Sequence, residues 1–333
     1  MENFEEYKKQ GEPDKAEKAF LWDTAIGLQK TDGLEVSEHL IKIAKKHIEG
    51  DITINQAKEG LELYYREQTN RNDQSRTEEA DKVSARIMEM LAENTFWFHP
   101  EEFIGIHKRL FEGIYDHAGK IRKDNISKGQ IILDGDSVTY LNWQNIGKAL
   151  EYDFEQERLF DYKGLTIRKK IEHIAEFTRR IWQIHPFMEG NTRTTAVFIV
   201  KYLRTKGFEP NWDTFKEHSW YFRNSLVRAN YENFKKGVYQ TNEFVLLFLG
   251  NLLLGEKHEL RNRDMMISAP KDKMHDAIIA LIKEKPSITQ KEISVIVGKS
   301  ERTVKTVMKQ MQDSGFLKRA ESKKTGHWQV TDL

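Results

Sequence analysis

The sequence predicts an all-α protein with one small β-hairpin and a separate unit at its C-terminal end. Three observations support this fold class. The 333 residues include only 6 Pro and 20 Gly, long stretches place apolar residues at helical spacing, and alternating, strand-like patterns are rare. Hydrophobic residues make up 38% of the chain, which is enough for a large core and more than one domain.

Composition also restricts the class of protein. A net charge of +1 gives no overall attraction to nucleic acid or to a membrane. The chain has no Cys, which excludes disulfides, thiolate metal ligands and a Cys nucleophile and suits a reducing compartment. The N-terminus lacks the apolar core of a signal peptide, and no apolar run approaches ~18 residues. We therefore expect a cytoplasmic protein without a membrane span.

The first domain is predicted over residues 1–66. Residues 12–66 have the pattern of two or three helices, with a helix stop at Gly50 and a cap for the next helix at Thr53. Residues 67–80 are polar and are predicted to form a connecting loop.

The second domain is predicted over residues 67–255. Helical patterns run from about residue 80 to 118 and again over 143–255. Between them the period changes, because two short apolar segments flank Asp134-Gly135-Asp136. This pattern predicts a small hairpin inserted into a helical protein.

The stretch IHPFMEGNTRTTA, residues 184–196, interrupts apolar helical sequence with a cluster of polar groups. Pro186 disfavours helical geometry at the residue before it, so a helix is predicted to end near His185. Gly190 permits a tight turn, and a second helix is predicted to begin just after it. The unpaired N–H groups and the positive dipole end of that helix predict an anion site, usually for phosphate.

Side chains of this stretch add chemistry to the anion site. Asn191 and Arg193 supply further donors, and a carboxylate such as Glu189 beside bound phosphates usually holds Mg²⁺. His185 is the only group here that titrates near neutral pH, which makes it the candidate general base for phosphoryl-type transfer. Two other interpretations stay open: a capped helix-loop-helix with a surface salt bridge, and a zinc site at His185 and Glu189 that lacks a second nearby His.

The same residues resemble the motif of the Fic family, His-x-Phe-x-(Asp/Glu)-Gly-Asn-Gly-Arg-x-x-Arg. The matching positions are His185, Phe187, Glu189, Gly190, Asn191, Thr192, Arg193 and Ala196. The resemblance covers about residues 80–250 and implies a Fic helical bundle whose β-hairpin is a target-binding flap. It also implies a protein adenylyltransferase, which moves AMP from ATP to a Ser, Thr or Tyr hydroxyl of a target protein.

The resemblance assigns a role to each site residue. His185 would take the proton of the hydroxyl, and Glu189 would hold Mg²⁺ through the phosphates. The flap would align the target backbone by strand addition, through Ile131, Ile132 and Leu133. The nucleotide-binding residues that it implies are Gly190, Asn191, Thr192, Arg193, Thr194 and Asn230.

Two positions depart from the motif. Thr192 stands where the family has Gly, and Ala196 stands where it has the last Arg. The cation that the family places beside the γ-phosphate is therefore missing. This predicts a variant site that binds ATP differently, favours another nucleotide or works slowly.

Part of the first domain, residues 25–53, resembles the antitoxin module that restrains some Fic enzymes. In that module a Ser/Thr-x-x-x-Glu-Gly helix pairs its Glu with the last motif Arg, and the matching residues here are Leu28, Asp32 and Gly33. Both the position of the inhibitory Glu, now Asp32, and the position of the arginine it would pair with, now Ala196, are therefore changed. We hypothesise a retained scaffold in which the regulatory residue Asp32 reaches Arg193, and a plain helical lid is the alternative.

Residues 256–272 are predicted to be a linker, and residues 273–333 resemble a winged helix-turn-helix domain. Three helical segments precede the wing strands FLKRA and HWQVT, and Ile296 is predicted to lie on the buried face of the second helix. Residues 271–333 hold 13 Lys and Arg against 8 Asp and Glu, a modest basic excess. The residues predicted to contact DNA are Lys299, Arg302, Lys305 and Lys309. A protein-docking or dimerising module is the alternative.

Two functional hypotheses follow. The first is an ATP- and Mg²⁺-dependent protein adenylyltransferase, with self-modification, DNA binding and homo-oligomerisation as open possibilities. The second is a DNA-binding regulator whose Fic domain senses nucleotide, and transfer of a different nucleotide or of phosphate is a further alternative. The intact His185 favours the enzyme, because sensing requires no base.

Overall fold

The computed structural model describes residues 4–67, 75–267, 273–313, 316–320 and 327–331, and helices predominate in this part of the chain, which confirms the predicted fold class. The elements are α1 (Glu5–Gln10), α2 (Pro13–Gln29), α3 (Glu38–Glu49), α4 (Ile54–Glu67), α5 (Ser75–Ala92), α6 (Pro100–Phe111), α7 (Ile146–Leu159), α8 (Ile167–Ile184), α9 (Asn191–Thr205), α10 (Trp212–Ala229), α11 (Glu243–Leu254), α12 (Lys273–Glu284), α13 (Gln290–Val297), α14 (Glu301–Asp313), β1 (Leu317–Ala320) and β2 (His327–Val330). No described helix has both the length and the apolar character that a bilayer crossing requires.

Packing divides the chain into two units. The first comprises Met1–Ser127 and Val138–Leu260, and the second comprises Lys128–Ser137 and Arg261–Leu333. The helices predicted for residues 12–66 pack within the first unit, where α2 lies against α5 and α10. The domain boundaries at residues 66, 255 and 272 stay predictions.

The N-terminal helices begin and end where their capping residues predict. Ser37 caps α3 by accepting a backbone hydrogen bond, and Gly50 ends that helix in the left-handed conformation. The hydroxyl of Thr53 accepts a hydrogen bond from Gln56 N at the start of α4. Of the predicted loop over 67–80, residues 68–74 lie outside the described residues, Glu67 ends α4 and residues 75–80 are already part of α5.

Helix α2 approaches α10 closely at Gly27. A Cβ atom at this position would lie 2.6 Å from Lys216 Cα, so the spacing requires glycine. Ser219, on α10, donates a hydrogen bond from its hydroxyl to the Gly27 carbonyl. The 3₁₀ turn Lys30–Asp32, which follows α2, lies beside α10 as well.

The predicted helix-loop-helix at residues 184–196 is present. Helix α8 ends at Ile184, His185 adopts a left-handed conformation with φ 48°, and α9 begins at Asn191. All residues from Asn191 to Leu203 are buried, because α2, α5, α6 and α8 pack around α9. The apolar sequence on both sides of the loop is therefore core sequence.

The predicted flap has little of a hairpin's strand structure. A single antiparallel bridge joins Gly129 to Ser137, and Ile131–Leu133 forms a 3₁₀ turn. The Gln130 carbonyl accepts two backbone N–H groups, and Asp134 is left-handed with φ 56°, which closes the segment before strands can pair. The prediction of strand geometry is wrong for Ile131, Ile132 and Leu133.

Burial explains why this segment turns. Ile132 is 4% exposed and Leu133 is fully buried, and the turn packs within the second unit against the 3₁₀ turn Asn262–Met265. Ile267 N also donates a hydrogen bond of 2.9 Å to the Ile132 carbonyl. An alternating strand would expose one of the two apolar side chains, whereas the turn buries both.

The second unit contains the predicted three helices and wing. The core shared by α12, α13, α14 and the strands includes Ile293 and Trp328, and β1 pairs antiparallel with β2, Leu317 opposite Val330. Ile296 is 60% exposed, so its predicted burial is wrong, because the short α13 turns only Ile293 fully into the core.

Candidate active site

His185 lies at the end of α8 between two aromatic rings. Its ring centroid is 4.1 Å from that of Tyr140 and 5.2 Å from that of Trp182. The residue is 4% exposed, with Tyr140, itself 8% exposed, packed on the imidazole. The loop therefore holds the candidate base in a defined position under an aromatic cover.

Arg122 fixes the backbone of this helix end. Its Nε donates a hydrogen bond of 2.8 Å to the His185 carbonyl. Its other guanidinium nitrogens donate to the carbonyls of Asp124, Leu141 and Ile184. Sequence pattern alone does not indicate this role, because all four partners are backbone carbonyls that only the fold brings together.

Thr192 connects the second helix to the surroundings of His185. Trp182 Nε1 donates a hydrogen bond of 3.0 Å to Thr192 Oγ1, and the Trp182 carbonyl oxygen lies 3.3 Å from His185 Nδ1. A carbonyl only accepts, so Nδ1 carries the hydrogen and Nε2 is the basic nitrogen of the neutral ring. The Thr that departs from the family motif thus orients the indole beside the imidazole.

Gly190 and Asn191 shape the loop itself. Gly190 has φ 76°, and a Cβ atom there would lie 2.4 Å from the Phe111 ring. The Asn191 carboxamide accepts from Phe187 N at 3.0 Å and donates to the Phe187 carbonyl at 2.8 Å. Phe187 is fully buried and anchors the loop in the core. Contact of Gly190 and Asn191 with a nucleotide stays a prediction.

His107 supports the loop from α6. Its Nδ1 accepts a hydrogen bond from Gly119 N at 2.9 Å, so its Nε2 donates to the Glu189 carbonyl at 3.0 Å. Its ring stacks on Phe187 at 3.7 Å. Burial lowers the pKa of His107 to about 3, so the ring is neutral at physiological pH. The carbonyl of Glu189 is thereby fixed while the residue itself is exposed.

Four side chains enclose Arg193. Its Nε lies 2.7 Å from Asp32 Oδ2, and its Nη2 lies 2.6 Å from Glu79 Oε1. Nη1 donates to Gln29 Oε1 at 2.9 Å, and Nη2 also donates to the Tyr115 hydroxyl at 3.2 Å. Burial lowers the pKa of Arg193, but Asp32, Tyr115 and Glu79 outweigh it, and the net pKa is raised.

The predicted contact between Asp32 and Arg193 is therefore present, and the regulatory role of Asp32 stays a prediction. Arg193 is 1% exposed, which leaves its side chain inside the protein. Gln29 and Glu79, by contrast, carry no sequence signal for this cluster, because they come from α2 and α5, far from the motif.

The first turn of α9 has the geometry of an anion site. Thr194 N bonds to the Gly190 carbonyl, so residues 191–193 carry the N–H groups that lack an acceptor within the helix. The Thr194 hydroxyl also donates to the Gly190 carbonyl, at 2.9 Å. Backbone donors, rather than the Thr194 side chain, are what this helix end offers to a phosphate. Ala196 is fully buried one turn further on.

Asn230 has a structural set of hydrogen bonds. Its amide nitrogen donates to the carbonyls of Arg179 and Leu226, and its amide oxygen accepts from Arg179 Nη1. These bonds connect the end of α10 to α8. A nucleotide contact by Asn230 stays a prediction.

Glu189 offers one exposed carboxylate for a metal ion. Mg²⁺ is commonly held by one or two carboxylates together with substrate phosphates and water, so a single Glu beside an anion site fits it. Among the described residues, the only cluster of three or more potential metal ligands is Glu5, Asp23 and Asp213. Lys8 Nζ lies 2.7 Å from Asp23 and 2.6 Å from Asp213, so an amine fills that cluster.

The four residues predicted to contact DNA are exposed. Lys299 precedes α14, and the other three lie on the side of α14 opposite its core residues. They are Arg302, Lys305 and Lys309. A basic face is therefore present, and its contact with DNA stays a prediction.

Comparison with known proteins shows that two family models match segments of the chain. Residues 97–203 match the Fic/DOC family. Residues 271–318 match the family described as winged helix-turn-helix DNA-binding. The first match spans the candidate base, the loop and most of α9, and the second spans the three helices of the second unit and the start of β1.

Three relatives show similarity at modest identity. The probable protein adenylyltransferase Fic of Escherichia coli (strain K12) is 27% identical over 34% of this chain and 54% of its own length. The protein adenylyltransferase VbhT of Bartonella schoenbuchensis is 26% identical over 49% of this chain and 32% of its own length. The probable protein adenylyltransferase y4lH of Sinorhizobium fredii is 28% identical over 43% of this chain and 72% of its own length. The chain thus spans about half or less of the first two relatives.

Two solved structures are also similar. The N-terminal FIC domain of Bep8 from Bartonella sp. 1-1C has a TM-score of 0.42 and 16% identity, covering 55% of this chain and 87% of its own. A Fic family protein from Desulfovibrio desulfuricans G20 has a TM-score of 0.39 and 13% identity, covering 92% of this chain and 96% of its own.

The family matches and the motif geometry together identify residues 97–203 as a Fic/DOC domain and residues 271–318 as a winged helix-turn-helix domain.

Proposed function

We propose that the chain is a protein adenylyltransferase, which transfers AMP from ATP to a hydroxyl side chain of a target protein. The observation that carries the proposal is that one short loop joins His185, at the end of α8, to the first turn of α9. The names of the three relatives support the same activity.

The phosphates of ATP would lie at the first turn of α9. Backbone N–H groups of residues 191–193 and the positive end of the helix dipole favour an anion there. Gly190 allows the left-handed turn that starts α9, and the Phe111 ring lies where a side chain would be. Glu189 would hold Mg²⁺, which neutralises phosphate charge when bound.

His185 would act as the general base. Its Nε2 takes the proton of the target hydroxyl as the hydroxyl oxygen forms a bond to the α-phosphorus of ATP. The bond between the α-phosphorus and the bridging oxygen breaks, and pyrophosphate leaves with that electron pair. The contacts of Nδ1 and of the His185 carbonyl keep Nε2 in one orientation during this step.

Access to His185 requires a movement of Tyr140. Its ring centroid lies 4.1 Å from that of the imidazole, and the imidazole is almost completely buried. A target hydroxyl would therefore displace the Tyr140 ring. Binding of the target and exposure of His185 would then occur together.

Labelled ATP tests the proposal. The full chain is incubated with Mg²⁺ and with ATP labelled on either the α- or the γ-phosphate, and label on protein is measured, first on the chain itself. We expect label from α-labelled ATP alone, its loss in His185→Ala, and its retention in His258→Ala, which removes a half-exposed histidine outside the motif.

Other outcomes of this experiment would each support a different function. Label from γ-labelled ATP would indicate phosphate transfer, and equal labelling of His185→Ala and the wild type would reject His185 as the base. Nucleotide binding without labelling of the chain or of proteins in a matched cell extract would favour the nucleotide sensor. The enclosure of Arg193 by carboxylates is the observation that supports this second candidate.

We further propose that the winged helix-turn-helix domain binds DNA through α14. The exposed basic residues of this helix support the proposal, since the third helix of such domains enters the major groove. A regulator or an enzyme recruited to DNA would both use this face.

A further inference from the structure

Arg193, the motif arginine, is already occupied within the protein. Its guanidinium meets Asp32 at 2.7 Å, Glu79 at 2.6 Å and Gln29 at 2.9 Å, and only 1% of the residue is exposed. Two carboxylates on one guanidinium leave an excess of negative charge when all three groups are ionised. Arg193 in this arrangement does not attract a triphosphate.

The other arginine of the motif is absent. Position 196 is Ala and is fully buried, so no substitute cation comes from α9 at that turn. A nucleoside triphosphate at the first turn of α9 brings several negative charges beside the carboxylates of Asp32 and Glu189. A further cation has to come from another helix.

Arg223, on α10, is the candidate for this cation. It follows Ser219 by one helical turn and therefore lies on the same face of α10, the face that packs against Gly27 and the turn Lys30–Asp32. The close approach at Gly27 is what brings this face of α10 to the site.

Three charged or polar groups from separate segments act electrostatically on Arg223, and each belongs to or contacts the motif region. They are Asp32, Tyr140 and Glu189. Asp32 pairs with Arg193 at 2.7 Å, and Tyr140 packs on His185 at 4.1 Å. Burial lowers the pKa of Arg223, and these three neighbours oppose it. The electrostatic influence of these groups agrees with the place of Arg223 on the face of α10 that packs against Gly27 and the turn Lys30–Asp32.

Two neighbours on α10 hold the side chain of Arg223 in place. Nη1 donates a hydrogen bond of 3.2 Å to Asn224 Oδ1, and the guanidinium lies 5.0 Å from the centre of the Trp220 ring. A guanidinium restrained in this way loses little entropy when it binds a phosphate with paired N–H donors.

Given the proposed nucleotide binding at α9, we infer that Arg223 is the guanidinium that contacts the outer phosphates of a nucleoside triphosphate, in place of the missing cation at position 196. Arg193 is then a structural ion-pair residue in the Asp32-bound form. Asp32, which pairs with Arg193 and acts electrostatically on Arg223, then competes with the nucleotide for both.

Binding of ATP and of adenosine to the full chain, with Mg²⁺ present, tests the inference by calorimetry. Arg223→Ala is expected to weaken ATP binding by about 10- to 100-fold, as for loss of charge-assisted hydrogen bonds, and to change adenosine binding less than about twofold. Arg223→Lys should recover part of the loss, because Lys keeps the charge but not the paired donors.

Arg228→Ala is the matched control. Arg228 lies further along α10, and its Nη1 approaches the Tyr239 carbonyl at 3.5 Å, so this variant should bind ATP as the wild type does. ATP affinity unchanged in Arg223→Ala would overturn the inference, and so would equal weakening of ATP and adenosine, which indicates a folding defect. A wild type that binds ATP but transfers no AMP would reject the proposed enzyme and leave this result intact.

Discussion

The carboxylate of Asp32, in the turn after α2, lies 2.7 Å from Nε of Arg193, in the first turn of α9. Asp32 stands where an antitoxin-like segment has its inhibitory Glu, but the arginine that this Glu would meet is Ala196 here. The shorter carboxylate instead pairs with the earlier motif arginine. The N-terminal helices are thus connected by charge to the proposed nucleotide site.

Removal of this carboxylate is expected to strengthen ATP binding. Asp32→Asn keeps the size of the side chain but removes a negative charge that would repel the phosphates, and Glu79 still neutralises Arg193. We expect ATP affinity to rise by roughly three- to tenfold, since Asp32 is partly exposed and its field is screened. Calorimetry on the full chain measures the change.

The control for this prediction is Asp51→Asn, an exposed aspartate of the same N-terminal segment. It should leave ATP affinity unaltered. If Asp32→Asn binds ATP no more tightly than Asp51→Asn does, Asp32 has only a scaffold role, and the regulatory prediction is wrong.

Gly190 is expected to be far less tolerant of a side chain than other glycines with positive φ. Gly190→Ala meets the Phe111 ring at 2.4 Å in addition to its left-handed backbone, and should lower the free energy of unfolding by roughly 2–4 kcal/mol. Gly33→Ala has φ 67° but open space around the Cβ, and should cost only about 1 kcal/mol. Urea unfolding compares the two. Equal losses would show that backbone strain alone, and not packing on Phe111, explains the glycine.

Local signals in the sequence predicted much of the fold because their causes are local. Pro186 ends α8, Gly50 ends α3 and Thr53 caps α4, each through the conformation of one or two neighbouring residues. The flap was mispredicted because its first apolar segment, Ile131–Leu133, packs against a distant segment, Asn262–Met265. Tertiary packing there replaced the strand pairing that the sequence pattern favoured.

The site shows the same division between local and distant causes. The motif indicated His185 and the loop, since those residues are adjacent in sequence. Arg122, on the other hand, reaches the end of α8 only because the fold brings a distant loop against it. The inferred role of Arg223 likewise depends on the packing of α10 against the turn Lys30–Asp32. Asp32 was predictable because the resemblance to an antitoxin module supplied a partner for it.

His107 is expected to make stability depend on pH in acid. Its pKa is about 3 in the folded chain, against 6.5 for an ordinary His, because burial disfavours the charged ring. Between these values the unfolded chain binds a proton that the folded chain does not, so stability falls as pH decreases from 6.5 toward 3. The slope contributed by this residue is at most roughly 1.4 kcal/mol per pH unit.

His107→Gln should reduce this slope, because Gln has an N–H donor for the Glu189 carbonyl but no titration. Phe187→Leu is the control: it removes the ring that stacks on His107 without removing a titratable group. It should lower stability at every pH and keep the slope. Urea unfolding at several pH values measures both, and a wild-type slope in His107→Gln would mean that other groups cause the acid sensitivity.

The basic face of α14 can be tested through the salt dependence of DNA binding. The slope of log K against log[salt] depends on how many phosphates the protein neutralises. Arg302→Ala and Lys305→Ala are each expected to weaken binding to a random DNA duplex and to reduce the slope of log K against log[salt] by about 0.9. Lys257→Ala removes an exposed lysine of the first unit and should leave the slope unchanged. Slopes identical among all four proteins would show that α14 does not meet the DNA backbone, and absence of binding by the wild type would favour a protein-docking role for this domain.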